Sequence, residues 1–141
     1  LVFGERAQQE TFLMSNIVPQ KPELNQRPWK DLEQTVANRY LRDYQENWVI
    51  TGPIYREPIA RLPSGVAVPS AFFKVIVDVV ELVGVRALAV ILKQDVADSS
   101  KMSQYLVTID DVEAATGLDL LSLLDDEAEA ALEADLPKRL W

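Results

Sequence analysis

The sequence of 141 residues contains no cysteine and no histidine. Without cysteine there can be no disulfide, no thiolate metal site and no cysteine nucleophile. Without histidine these residues supply no Ser-His pair, no imidazole metal ligand and no histidine general base. Long apolar runs are also missing. The most apolar stretch, Val75 to Val83, is interrupted by Asp78 and Glu81, so no membrane-spanning helix is expected. The N-terminus lacks the basic region, apolar run and small-residue cleavage site of a signal peptide. There is no internal repeat and no low-complexity linker. The chain opens on Leu1 rather than Met, and is expected to be part of a longer protein.

What is present fits one ordinary domain over residues 1–141 with a real core, at 48% hydrophobic and 26% charged residues. The net charge of -8 is uneven, because residues 101–141 carry three basic groups against ten acidic ones. The first hundred residues are close to neutral. The overall acidity is therefore no argument against a nucleic-acid partner for that part of the chain.

Along the chain, residues 5–10 read as the end of a helix and Phe12 to Met14 as a short strand. Residues 15–28 hold three prolines and read as an ordered loop anchored by Ile17, Val18 and Leu24. Pro28 suits the first position of a helix. From there Trp29, Leu32, Val36, Tyr40 and Tyr44 recur at helical spacing to about residue 46. Residues 47–51 form a β-branched and aromatic strand that Gly52-Pro53 is expected to end. Ala71 to Val79 and Arg86 to Lys93 read as a buried antiparallel hairpin turning near Gly84, and Tyr105 to Val107 as a short strand. Thr108 with Asp111 makes a capping box for a helix stopped by Gly117. Asp126 with Glu129 opens a last helix by the same device, with Ala128, Ala131 and Leu132 on its inner face. Strands and helices do not alternate as βαβ units, so the class is α+β, with a mixed, mainly antiparallel sheet and packed helices.

The connection from Ser15 to Glu33 places Asn16, Gln20, Asn25, Gln26 and Glu33 beside one helix start. Amide and carboxylate oxygens in small number suit a hard divalent cation that keeps most of its waters. The same residues also suit turns, caps and a solvated face, and residue chemistry alone leaves both readings open.

The run Glu10-Thr11-Phe12-Leu13-Met14-Ser15-Asn16-Ile17-Val18-Pro19-Gln20, then Leu24-Asn25-Gln26, then Trp29-Lys30-Asp31-Leu32-Glu33, resembles the DNA/RNA non-specific endonucleases. These are the sugar-non-specific members of the ββα-metal (His-Me finger) nucleases, which include endonuclease G. Ile50-Thr51-Gly52-Pro53 and Val68-Pro69-Ser70-Ala71-Phe72-Phe73-Lys74-Val75 are similar to the family's following strand end and core strand, and the likeness fades towards Gly117. The resemblance implies a partial ββα-metal fold, forming the C-terminal portion of a larger nuclease domain. It implies Mg2+, with Mn2+ able to replace it, held by Asn25 as the one protein ligand. Glu33 would hold a metal-bound water, so that it is both a catalytic residue and a ligand through water, and Asn16 would be a second catalytic asparagine. Arg27, Gln26 and Arg56 would meet the substrate, the DNA and RNA backbone.

The family's histidine belongs to an Asp-Arg-Gly-His motif upstream of the matched region, and no residue of this chain can replace it. The base must come from an upstream segment or a second chain, and this chain alone is expected to be inactive. The family's arginine four residues after the glutamate is here Ala37, Arg39 lies on roughly the opposite face, and Arg27 replaces a small glycine. These departures support an alternative, a degenerate non-catalytic member acting as a nucleic-acid-binding or protein-interaction module. A homodimer and a secreted or periplasmic location are further expectations, with no membrane partner. Lys74 is read as a snorkelling lysine, Asp110, Asp111 and Glu113 as capping or solvated residues, Arg61 as exposed, and Trp29 and Trp48 as core.

Overall fold

The computed structural model describes residues 9–10, 13–40, 46–80, 84–96 and 101–140. A short turn of 3-10 helix, Met14–Asn16, leads into a helical rod, α1, built from Pro22–Leu24, Asn25–Trp29, Lys30–Thr35 and Val36–Tyr40. Strands β1 (Glu46–Ile54), β2 (Ala71–Val80), β3 (Gly84–Lys93) and β4 (Leu106–Val107) follow, then helices α2 (Ile109–Thr116) and α3 (Asp126–Glu133). The four strands form one antiparallel sheet in the order β1-β2-β3-β4. The class is α+β, as expected.

The sheet is covered on both sides, which is why every residue of β2 from Ala71 to Asp78 is buried. On one side Leu24, Trp29, Leu32, Val36 and Tyr40 of α1 pack on Phe72, Ile76, Leu88, Val90 and Leu92. Burial of each such side chain contributes about 1.5–3 kcal/mol and holds α1 to the sheet. On the other side Phe73, Val75, Val77, Ala87 and Ala89 meet Ile109 and Val112 of α2, with Leu132 of α3 half-buried against them. The β2–β3 register sets Phe72 opposite Leu92 and Phe73 opposite Ile91, so alternate residues serve opposite layers.

Helix α1 begins six residues earlier than its periodicity predicts, with Lys21 as N-cap and Pro22 at the first position. The expected loop therefore ends at residue 21, and Pro28 lies inside the helix. Leu24 and Trp29 both face the sheet although they are five residues apart, a step that breaks the 3.6-residue period. A widened, π-type turn at Asn25–Trp29 absorbs the extra residue. It also accommodates Pro28, which has no N–H to donate to the carbonyl four residues back.

Other expectations shift by smaller amounts. Leu13 and Met14 lie in a bend and a 3-10 turn rather than a strand, and Phe12 lies outside the described residues. Of the helix end expected over residues 5–10, only Gln9 and Glu10 are described, and they are helical. The end of the long helix past Tyr40 and the turn before Gly84 also lie outside the described residues. Strand β1 continues through Gly52-Pro53 to Ile54, because an edge strand tolerates a residue without an N–H. Thr108 and Asp111 form the expected capping box and Gly117 ends α2 at φ 72°. Helix α3 is capped by Asp125 instead of Asp126, with the Ala128 N–H donating to Asp125 Oδ1 at 3.1 Å. Its buried residue is Glu133, while Ala131 is exposed and Ala128 and Leu132 are half-buried.

Candidate active site

A groove of about 710 Å³ opens where the start of α1 passes the edge strand. It is lined by Asn16 from the 3-10 turn, Gln20 from the next segment, Asn25 and Trp29 from α1, and Thr51 and Pro53 from β1, with Phe72 as floor. Two of the sequence-expected site residues, Asn16 and Asn25, thus share one concavity, and Gln20 joins them.

Each wall has its own support. Asn16 Nδ2 donates to the Glu10 carbonyl at 2.8 Å, which holds its side chain in place. Trp29 packs on Phe72 at 5.6 Å between ring centroids. Thr51 Oγ1 donates to the Phe73 carbonyl at 2.9 Å. Beside it, Gly52 is required by a close approach, since a Cβ there would lie 2.8 Å from Phe73 Cε1. The segment before α1 is tied down by Gln94, a buried residue just past β3. Gln94 Nε2 donates to the Pro19 carbonyl, and its Oε1 accepts from the Lys21 N–H, both at 2.8 Å. Gln94 has no place in the sequence reading. Nothing local distinguishes it, because its partners lie more than seventy residues away.

Glu33 is exposed on α1, eight residues after Asn25. In a regular helix that separation leaves two residues about 80° apart, at 3.6 residues per turn. The widened turn takes up one residue, so Asn25, Trp29 and Glu33 follow one another along the same side. Neither the Asn25 side-chain amide nor the Glu33 carboxylate takes a hydrogen bond among the described residues. Lys74, from the centre of β2, lies with Nζ 4.6 Å from the centre of the Trp29 ring. It does not snorkel to solvent, being 5% exposed. Burial pushes its ammonium below the usual lysine range, and the nearby Glu33 carboxylate pulls it back up.

The remaining expected residues lie elsewhere. Gln26 and Arg27 line a separate depression with Pro22 and Glu23. Arg56 is exposed in the loop after β1, and Arg61 donates to the Gly65 carbonyl at 2.9 Å within that loop. Ala37 is exposed, and the Arg39 side chain lies outside what the structure describes. Trp29 is in the core as expected, whereas Trp48, on the edge strand, is 61% exposed. Among the described residues, the carboxylate groupings close enough to share a cation are on the far side of the sheet, among Asp110, Glu113, Asp119, Glu129 and Glu133.

Comparison with known proteins places the fold and the family. The nuclease of Serratia marcescens is 32% identical over 125 residues, covering 86% of this chain and 47% of that protein. Human mitochondrial endonuclease G is 32% identical over 130 residues, covering 82% of this chain and 43% of that protein. This chain spans about half the length of the curated relatives it matches. A chain in the crystal structure of an EndoG/EndoGI complex superposes with a TM-score of 0.69 at 27% identity, over 82% of this chain and 52% of that one. The fold expected of this nuclease class is thus borne out. Several relatives are named as mitochondrial, and among the described residues no helix is long and apolar enough to cross a membrane. The family model for DNA/RNA non-specific endonucleases matches residues 1–127, nine-tenths of the sequence, and the chain belongs to that family.

Proposed function

We propose that this chain is the C-terminal portion of a larger nuclease domain that hydrolyses phosphodiester bonds of DNA and RNA with Mg2+. The single observation that supports this best is the meeting of Asn16, Gln20 and Asn25 in one groove, with Glu33 on the same side of α1. The donor set is oxygen from amides and a carboxylate, which fits a small hard cation and no soft one. When bound, Mg2+ supplies positive charge for the phosphate oxygens and leaving group.

The chain's own residues have distinct tasks. Asn25 would hold the cation through its carbonyl oxygen, and Glu33 would accept a hydrogen bond from a metal-bound water. The Asn16 and Gln20 amides border the phosphate path. Lys74 is a positioning residue, buried against Trp29 and held near the Glu33 carboxylate, whose charge acts on its ammonium. Gln26, Arg27 and Arg56, outside the groove, engage more distant backbone phosphates, which position a duplex without reading its bases. The general base comes from an Asp-Arg-Gly-His segment, upstream or on a second chain.

The test restores that segment to the chain and measures Mg2+-dependent cleavage of plasmid DNA and of RNA. Cleavage of both is expected, with Asn25→Ala abolishing it. If the reconstituted protein cuts neither, or Asn25→Ala cuts normally, the assignment fails. A second reading, a non-catalytic binding module, is favoured by Ala37, exposed where the family carries arginine. Nucleic-acid retention without cleavage in the reconstituted protein would select it.

A further inference from the structure

The acidic C-terminal segment does not form a uniformly solvated surface. Asp110 and Glu113 from α2, Asp119 from the following loop, and Glu129 and Glu133 from α3 assemble into two overlapping triads. These are Asp110–Glu113–Glu133 and Asp119–Glu129–Glu133, and within each the carboxylate oxygens lie within 4.8 Å of one another. Two oxygens bound to one Ca2+ at 2.3–2.6 Å can be at most roughly 5 Å apart, so both triads meet the geometric limit for a shared ion.

Crowded carboxylates alone are common on acidic surfaces. Here a second observation bears on a ligand. Glu133, common to both triads, is only 8% exposed, and its Oε1 is enclosed without a hydrogen-bond partner. A buried carboxylate oxygen without a donor is costly, and among the described residues no basic side chain is ion-paired with any of the five. Glu113 is fixed in the cluster, because its Oε1 accepts from the Leu120 N–H at 2.6 Å and folds the Asp119 loop back over α2. Burial, the charges of Glu113, Glu129 and Asp110, and a side-chain hydrogen bond with Glu113 push the Glu133 carboxyl up to about 7, the response of a carboxylate surrounded by its own kind.

We propose that Glu133 is the central ligand of a calcium site between α2 and α3, completed by Asp110, Glu113, Asp119 and Glu129. The donors are all carboxylates on a loop and two helices. Ca2+ accepts such irregular and bidentate shells, whereas Mg2+ demands a regular octahedron and retains water. The ion joins α3 to α2 across a loop that otherwise brings like charges together. The site lies across the sheet from the groove and does not depend on the nuclease reading.

The experiment uses the 141-residue chain stripped with EDTA, titrated with CaCl2 by calorimetry and followed by thermal unfolding. At calcium about a hundredfold above Kd, Tm is expected to rise by roughly 5–10 °C. Asn25→Ala should keep that rise, and Glu133→Gln should lose it while still folding, since it removes a charge from the cluster. Glu129→Gln, nearer the rim, should weaken binding tenfold or more. No binding up to about 10 mM calcium, well above the range of weak protein sites, overturns the proposal. So does a rise that survives Glu133→Gln but disappears in Asn25→Ala, which would place calcium in the groove and leave the nuclease reading untouched.

Discussion

The two faces of the sheet gather polar groups in opposite ways. On the α1 side the groove is built from residues close in sequence, Asn16, Gln20, Asn25 and Trp29, and is nearly neutral. On the α2–α3 side five carboxylates converge from three elements, and Glu133 is buried among them. A short motif preserves the first arrangement almost by itself. The second exists only after the helices have packed. Proximity in the chain is thus what made one face recognisable, and its lack hid the other.

The sharpest way to break this contrast is Asn25→Ala in the reconstituted nuclease. Loss of a cation's charge stabilisation, several kcal/mol, corresponds to roughly a hundredfold or greater fall in the rate of plasmid cleavage. Calcium-dependent stability on the far face should be unchanged. Gly52→Val tests the groove's β1 wall, because its side chain would collide with Phe73, a core residue that cannot swing aside. A loss of about 1–3 kcal/mol is expected in urea unfolding.

Gln94→Leu removes both bonds that hold the segment from Pro19 to Lys21. About 1–2 kcal/mol of stability should be lost, and reconstituted cleavage should fall chiefly through a higher KM. Unchanged kinetics would mean that the groove organises itself without β3. The smallest effect is expected from Thr108→Ala, which removes the α2 cap and should cost about 1 kcal/mol without altering cleavage. A change in cleavage there would show that the two faces are coupled.

Much of this architecture was legible in the sequence because it follows local rules. The β2–β3 hairpin, the Thr108–Asp111 box and the Gly117 stop all rest on contacts within a few residues or on a plain alternation. The start of α1 was not, since Pro28 imitates a helix beginning and the five-residue step from Leu24 to Trp29 interrupts the expected period. In the groove, the Asn16 and Asn25 positions were readable from the motif. Gln94 was invisible, as its role depends on two segments brought together from distant parts of the chain. Asp110 and Glu113 read as solvated because their neighbour Glu133 lies twenty or more residues further on.

The widened turn at Asn25–Trp29 gives α1 the character of a vernier. Its surplus residue sets the angular phase between everything before Asn25 and everything after Trp29. Rewinding the same residues as a regular α-helix would leave composition and charge untouched, yet rotate the two halves by about 100° relative to each other. Leu24 and Trp29 could then no longer face the sheet together, and Asn25 would turn away from Glu33. The alignment of this groove is therefore a matter of counting as much as of chemistry.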